Sequence, residues 1–520
     1  MASSRFYITT AIPYANGAPH IGHAYERIAT DAIQRFMRLD GREVLFVTGM
    51  DEHGQKMQQT AARDAITPQQ LADRTAAQFE RMGDVLNARA DDIVRTTQTR
   101  HHAASQEIWR RMEANGDIYL SKYPGWYSVR DEAFFDEGEL TKGADGKHFA
   151  PTGAPVEWVE EESYYFRLSA WQERLLAYYR DNPDFIVPDK YRNEIVAFVE
   201  RGLTDLSISR STFNWGVPVP GDDRHVMYVW VDALTNYITA TGFPDESAER
   251  APFWPADAHV IGKDILVPAH AVYWPIMLHA LGFPDDQIPK LIVHGWWNVK
   301  GAKMSKSLGN VIDPNVLSNT FTPDGLRYYL MRDIATGYDA DFSDERIIMS
   351  YNKELAGGLG NLLNRSINMA QKYRNGVLTP GDYDDEINQA MRQTVAEALP
   401  LYLEKMNAWD IHEGIAAAWK IVTHANAFVD STKPFSLAKD PAQAARLDSV
   451  LYHLAEALTH VSVLLNPIMP TAMVTARAQI GWELPAGLKV SDLKWGLLPS
   501  GHQLGAPVPL FPRLEIAEEK

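Results

Sequence analysis

Two short stretches carry side chains that could do phosphate chemistry. Pro19-His20-Ile21-Gly22-His23 puts two imidazoles one helical turn apart at the start of an expected helix. Lys303-Met304-Ser305-Lys306-Ser307 puts two ammonium groups on a segment bounded by Gly301 and Gly309. Ring N–H donors and mobile lysines that converge on one point suit a nucleoside triphosphate. Each stretch has a plainer reading. A lone pair of histidines at this spacing usually caps a helix, and a Lys/Ser loop is usually only solvated. Their joint presence, in this order on an α/β chain, is the signal.

The elements expected around them form a parallel-sheet pattern. Residues 5–12 are β-rich, 22–39 carry a helical apolar pattern, and 43–48 are an apolar run of strand length ending at Gly49. Helices are expected at 69–87 and 103–114. From 118 to 220 aromatics cluster and every run is interrupted, which reads as an insertion of short strands. The pattern resumes with a strand at 226–230 and a helix through Tyr237, then strand 259–261, helix 270–281 and strand 291–293. In open parallel sheets ligands gather at the carboxyl ends of strands. Tyr14, Asp51, Lys263 and Lys303 each follow a predicted strand, so they are expected to face one crevice. Beyond residue 345 the chain reads as helical to about 465. The proline-rich remainder reads as a meandering tail.

With 520 residues, several domains are expected. Cysteine is absent, which excludes disulfides and Cys-ligated zinc or iron–sulfur sites. The start of the chain has no signal-peptide h-region, and no apolar run approaches membrane-spanning length, so a cytoplasmic protein is expected. The formal net charge of −17 restricts nucleic-acid contact to a limited patch.

The paired motifs resemble those of class I aminoacyl-tRNA synthetases. Four further strings narrow the resemblance to the methionyl-tRNA synthetase family: Ala11-Ile12-Pro13-Tyr14-Ala15-Asn16-Gly17, Thr48-Gly49-Met50-Asp51-Glu52-His53-Gly54, Tyr228-Val229-Trp230-Val231-Asp232-Ala233-Leu234 and Gly262-Lys263-Asp264-Ile265. The similarity runs from residue 5 to about 470. It implies an α/β fold: a Rossmann-like parallel-sheet catalytic domain with a connective insertion, then an α-helical bundle that binds the anticodon. The implied division is catalytic first half 1–117, insertion 118–220, catalytic second half 221–300, lysine loop and stem-contact region 301–345, helical domain 346–465 and tail 466–520. Three departures stand out. The insertion carries Tyr127-Ser128-Val129-Arg130-Asp131-Glu132 where relatives often have zinc-knuckle cysteines, so no bound zinc is expected. The stretch Lys263 to His270 is one residue longer than the family form. Phe435 stands where the family usually has Trp.

The reaction implied is formation of methionyl-adenylate from L-methionine and ATP with Mg²⁺, then transfer to tRNA(Met), initiator tRNA included. By the resemblance, ATP lies on His20, Gly22, His23, Lys303, Ser305 and Lys306, and the catalytic groups are His20, His23, Lys303 and Lys306. Methionine is implied to lie among Ile12, Tyr14, Asp51, Trp230, Ala233, Leu234, Tyr237, Ile265 and His270. Asp51 would pair with its ammonium group. One methylene in such a pocket is worth roughly 1–3 kcal/mol, so rejecting leucine needs shape plus a polar contact to sulfur, for which Tyr14 and His270 are candidates. Asn361, Arg365 and Phe435 match anticodon-contacting positions. No DNA or membrane partner is implied, and a monomer is expected. The rival readings are a class I synthetase for another apolar amino acid, a catalytically inactive tRNA-binding paralogue, and a nucleotidyltransferase that never touches tRNA.

Overall fold

A computed structural model describes residues 4–131, 133–143, 146–299, 301–304 and 310–515. Its centre is a six-stranded parallel sheet. The order across it is Asp92–Arg95, Glu43–Met50, Arg5–Thr10, Ala258–Gly262, Lys290–His294, Ile186–Val187. The central strands are buried almost throughout because helices cover both faces. The sixth strand comes from within the 118–220 interval, which otherwise forms a separate antiparallel sheet around Ile118–Ser128 and Glu157–Phe166.

The Ile21–Leu39 helix connects the first two strands. Ile21, Ala24, Ile28, Ala32 and Phe36 recur at helical spacing and are buried against the sheet. Its N-terminus therefore points out of the carboxyl edge of the sheet. The strand expected at 226–230 ends at Met227 instead, and Val229–Leu234 is a short helix. A buried strand and a buried short helix present the same unbroken apolar run, so periodicity could not separate them. The difference decides the direction of Trp230.

The helical half stacks Glu386–Asn407 against Ile411–Thr432, with the almost wholly buried Ala444–Leu464 across both. The remainder is less of a meander than its prolines suggested. Pro470 opens the helix Pro470–Ile480, a position where its missing N–H costs nothing. Beyond it, the buried Glu456 carboxylate accepts from Leu498 N–H at 2.6 Å and Gly496 N–H at 3.3 Å. Asn352 and Leu514 exchange two hydrogen bonds. Among the described residues, no helix is long and apolar enough to cross a membrane.

Candidate active site

His20 is the N-cap of the Ile21–Leu39 helix. Its Nδ1 accepts from Gly22 N–H at 3.1 Å, and its own backbone N–H donates to His23 Nδ1 at 3.2 Å. The two rings stack with centroids 3.8 Å apart. Since both Nδ1 atoms accept, each neutral ring carries its hydrogen on Nε2. The capping reading and the phosphate reading are thus compatible: capping uses one nitrogen of each ring and orients the other. Gly22 makes this possible, because a Cβ there would lie 2.9 Å from His20 Cε1.

Both rings line a cavity of about 440 Å³ at the carboxyl edge of the sheet. All nine residues implied to hold methionine line the same cavity. Ile12 and Tyr14 follow strand Arg5–Thr10, and Asp51 follows strand Glu43–Met50. Tyr14 and Asp51 pair as a short parallel bridge, held by Asp51 N–H to Pro13 O at 3.0 Å and Ala15 N–H to Asp51 O at 2.8 Å. Gly49 allows Ile12 to approach, since a Cβ would come within 2.6 Å of its Cγ2. Trp230, Ala233 and Leu234 project from Val229–Leu234, and Tyr237 from the next turn.

His270 closes the far wall. Its Nδ1 faces Ile265 O at 2.8 Å and so carries the hydrogen; Nε2 then accepts from the Tyr237 hydroxyl at 2.6 Å. Burial pushes the His270 imidazole down to about 4, so the ring is neutral. With both nitrogens engaged, the ring has no hydrogen left for the cavity. His270 sits on a wide π-helical turn over Leu266–Tyr273, with Val267 extended ahead of Pro268. Behind Tyr237, its ring stacks on His259 at 3.8 Å.

The lysine motif is only partly visible. Met304 lines the cavity, and Ala302–Lys303 pairs as a strand with Trp297–Val299. Ser305, Lys306, Ser307 and Gly309, with the side chain of Lys303, lie outside the described residues. Lys263 departs from expectation. It does not line the cavity; its Nζ pairs with Asp339 at 2.7 Å and sits 4.0 Å over the Trp296 ring. The neighbours Gly262 and Asp264 line the cavity in its place.

Sequence reasoning missed a part-buried pair on the cavity wall. Glu26 lies one turn beyond His23, and its Oε2 is 2.9 Å from His294 Nε2. Burial raises the Glu26 carboxyl. Burial alone would lower His294, but the Glu26 hydrogen bond and charge hold that imidazole above its ordinary value. The signals were available: the i, i+3 spacing from His23, and the position of His294 at a strand's carboxyl end. Arg130 and Asp131 also reach the cavity, from the insertion.

The profile of the family described as tRNA synthetases class I (M) matches residues 6–367. The methionine–tRNA ligase of Brucella suis is 49% identical over 524 residues, covering 100% of both chains. This chain belongs to the methionine-type class I tRNA synthetases. Mycobacterium tuberculosis methionyl-tRNA synthetase in complex with methionyl-adenylate superposes with a TM-score of 0.93 at 44% identity, covering 98% of this chain and 100% of that one. The apo form of that enzyme gives 0.87 at 42% identity, covering 98% of each.

Within this family member, the helical half includes a π-helical turn, Tyr351–Gly360, that continues directly as the helix Asn361–Arg374. Leu355, Leu359 and Leu362 are buried. Asn361 is exposed, and Arg365 lies 3.7 Å from Asp430 of the neighbouring helix. Phe435 is 47% exposed, on the short helix Pro434–Leu437 that follows left-handed Lys433. It sits just beyond the end of the helix that carries Asp430, the ion-pair partner of Arg365. Among the described residues, no group of three or more His, Asp or Glu could hold a metal ion.

Proposed function

We infer that this chain acts as a methionine–tRNA ligase. A carboxylate oxygen of L-methionine attacks the α-phosphorus of ATP, forming the acyl–phosphate bond as the bond to the β-phosphate breaks and pyrophosphate leaves. The 3′-terminal ribose hydroxyl of tRNA(Met) then attacks the activated carbonyl and AMP leaves. The observation that carries this reading is the convergence of the nine methionine-pocket residues and both histidines on one cavity.

Such chemistry needs positioning and charge stabilisation rather than a protein nucleophile. His20 and His23 direct Nε2–H groups at the phosphates, aided by the positive end of the helix they cap. Lys303, Ser305 and Lys306 hold the β- and γ-phosphates, with Mg²⁺ arriving on the ATP. Asp51 takes the ammonium group of methionine. Trp230, Tyr237 and His270 present ring faces and edges to the thioether, which suits sulfur. Asn361 and Arg365 offer amide and guanidinium groups to bases of the anticodon loop, and Phe435 a stacking surface. The acidic chain works as a monomer in the cytoplasm on elongator and initiator tRNA(Met), without DNA or membrane.

The test is ATP–pyrophosphate exchange with each of the twenty amino acids, with Lys306→Ala alongside. Exchange that requires methionine and collapses in the variant is expected. Exchange with a different amino acid would keep the fold and overturn the pocket. Absence of exchange from folded protein with Mg²⁺ would favour a tRNA-binding paralogue.

A further inference from the structure

Methionine in this cavity must be gripped at both ends by segments far apart in the chain. Asp51 follows the second strand of the sheet. Trp230, Ala233 and Leu234 ride on the short helix Val229–Leu234. Between these two segments lies a buried polar cluster that the reaction itself does not use. Asp232 is wholly buried, in the same turn as Trp230, Ala233 and Leu234. Its Oδ2 is 2.6 Å from His53 Nδ1 and its Oδ1 is 2.7 Å from His101 Nε2. Both imidazoles are buried as well.

His53 lies two residues after Asp51. The turn that carries both is clamped from a second side: Trp215 Nε1–H donates to Glu52 O at 2.6 Å, and Gly54 N–H donates to Trp215 O at 3.0 Å. The His53 ring packs edge-on against Trp215. His101, near the start of helix Thr99–Ala114, is held in turn. Its Nε2–H donates to Asp232, and its Nδ1 lies 3.2 Å from the Thr239 hydroxyl, which also lies 2.9 Å from Thr235 O. Asp232 thus bridges two rings fixed to separate elements, across 179 positions to His53 and 131 to His101. A buried carboxylate with both oxygens engaged is costly to displace, so it holds geometry rather than merely filling space.

We propose that Asp232 is a positioning residue that, through His53, sets the distance between the ammonium-binding Asp51 and the side-chain wall around Trp230. The proposal rests on the methionine-pocket reading above. It separates two lengths of the substrate: a ligand that uses both grips feels the tie, and one that uses only the side-chain wall does not. Against the burial that would raise it, the two imidazoles keep the Asp232 carboxyl well below the usual carboxylate range, which agrees with an ionised bridge.

The experiment compares two variants of His53 in methionine-dependent ATP–pyrophosphate exchange. His53→Asn places an amide N–H where Nδ1 lies but loses the ring's bulk. His53→Phe keeps the bulk and packs on Trp215 but loses the bond. A positioning role through the bond predicts that His53→Phe raises the methionine KM about tenfold or more, with the ATP KM within about twofold, while His53→Asn stays within about threefold of the parent. Inhibition by 4-(methylthio)butanoate, which lacks the ammonium group, should change by less than about twofold in both variants. The reverse order, with Asn worse than Phe, would assign His53 to packing and overturn the proposal. So would a parallel loss of the ammonium-free inhibitor. If the parent protein itself shows no methionine-dependent exchange, the pocket reading fails; if it does and the variants behave in reverse order, only this inference fails.

Discussion

At the residue scale, the site depends on how single atoms are already committed. The Nδ1 atoms of His20 and His23 belong to the helix cap, and only a glycine at position 22 lets the His20 ring fold back that far. Gly22→Ala is therefore expected to push the His20 ring aside. A displacement near 1 Å at a reacting centre costs on the order of 100-fold in rate. Exchange should lose kcat by at least about tenfold with the methionine KM little changed, measured by steady-state exchange at saturating ATP. His270 gives a pH prediction. Its folded value, about 4, lies below the roughly 6.5 of an unfolded histidine. Between those values the unfolded chain binds the extra proton, so stability rises with pH there. The contribution is complete above pH 6.5 and is lost as pH falls toward 4. That gap corresponds to about 3 kcal/mol. Urea midpoints of parent and His270→Gln should converge as pH drops from 7 to 4.5. The methionine KM of the parent should stay flat above pH 5 as far as His270 is concerned, because protonation of Nε2 would displace the Tyr237 hydroxyl.

At the element scale, short irregular pieces do the aiming. Val229–Leu234 turns Trp230 into the cavity where a continued strand would have sent alternate residues to opposite faces. The π-helical turn at Leu266–Tyr273 brings His270 against Tyr237. In the helical half, Asn361 and Arg365 occupy successive turns of one helix, and Phe435 follows a left-handed Lys433. Phe435→Ala should raise the KM for tRNA by about 5- to 100-fold, the range of one base–aromatic stack, and leave exchange untouched. Asn361→Ala should likewise raise the tRNA KM alone. A matching loss in exchange for either variant would remove that residue from the tRNA surface.

At the scale of the whole molecule, a single buried arginine ties the halves together. Arg327 pairs with Asp31, in the middle of the histidine-bearing helix, at 2.6 Å, with neither side chain exposed. It also donates to Ile468 O at 2.7 Å and Pro467 O at 2.9 Å, after the last long helix of the bundle, and to Leu86 O at 3.3 Å. Removing one partner of a buried pair typically costs about 3–5 kcal/mol; here Asp31 would still hold Arg35 Nε at 2.7 Å, which places the expected loss at the low end of that range. Arg327→Met should lower the urea midpoint accordingly, and Asp31→Asn added to it should recover part of the loss. Recovery is the discriminating result: without it, the cost lies in the carbonyls rather than in the ion pair.

Much of this site could be read along the chain. The His20–His23 spacing, the apolar face of the following helix, and the placing of Tyr14 and Asp51 just past strands are local patterns, and local geometry obeys them wherever the helix and strands form. Single side chains were another matter. Lys263 satisfies the same strand-end rule and yet turns to Asp339, because a nearby carboxylate and the Trp296 ring compete for its charge. Glu26 and His294 are 268 positions apart and become a pair only when the histidine-bearing helix packs over the end of the Lys290–His294 strand. The bridge from Asp232 to His53 and His101 has no trace in spacing at all. Sequence alone determined the parallel-sheet architecture and the chemistry of its motifs, because both follow from periodicity and residue type over a few turns. Which charged groups meet, and which nitrogen of each histidine faces the cavity, only the tertiary structure decided, because burial forces each polar atom to find a partner wherever packing brings one.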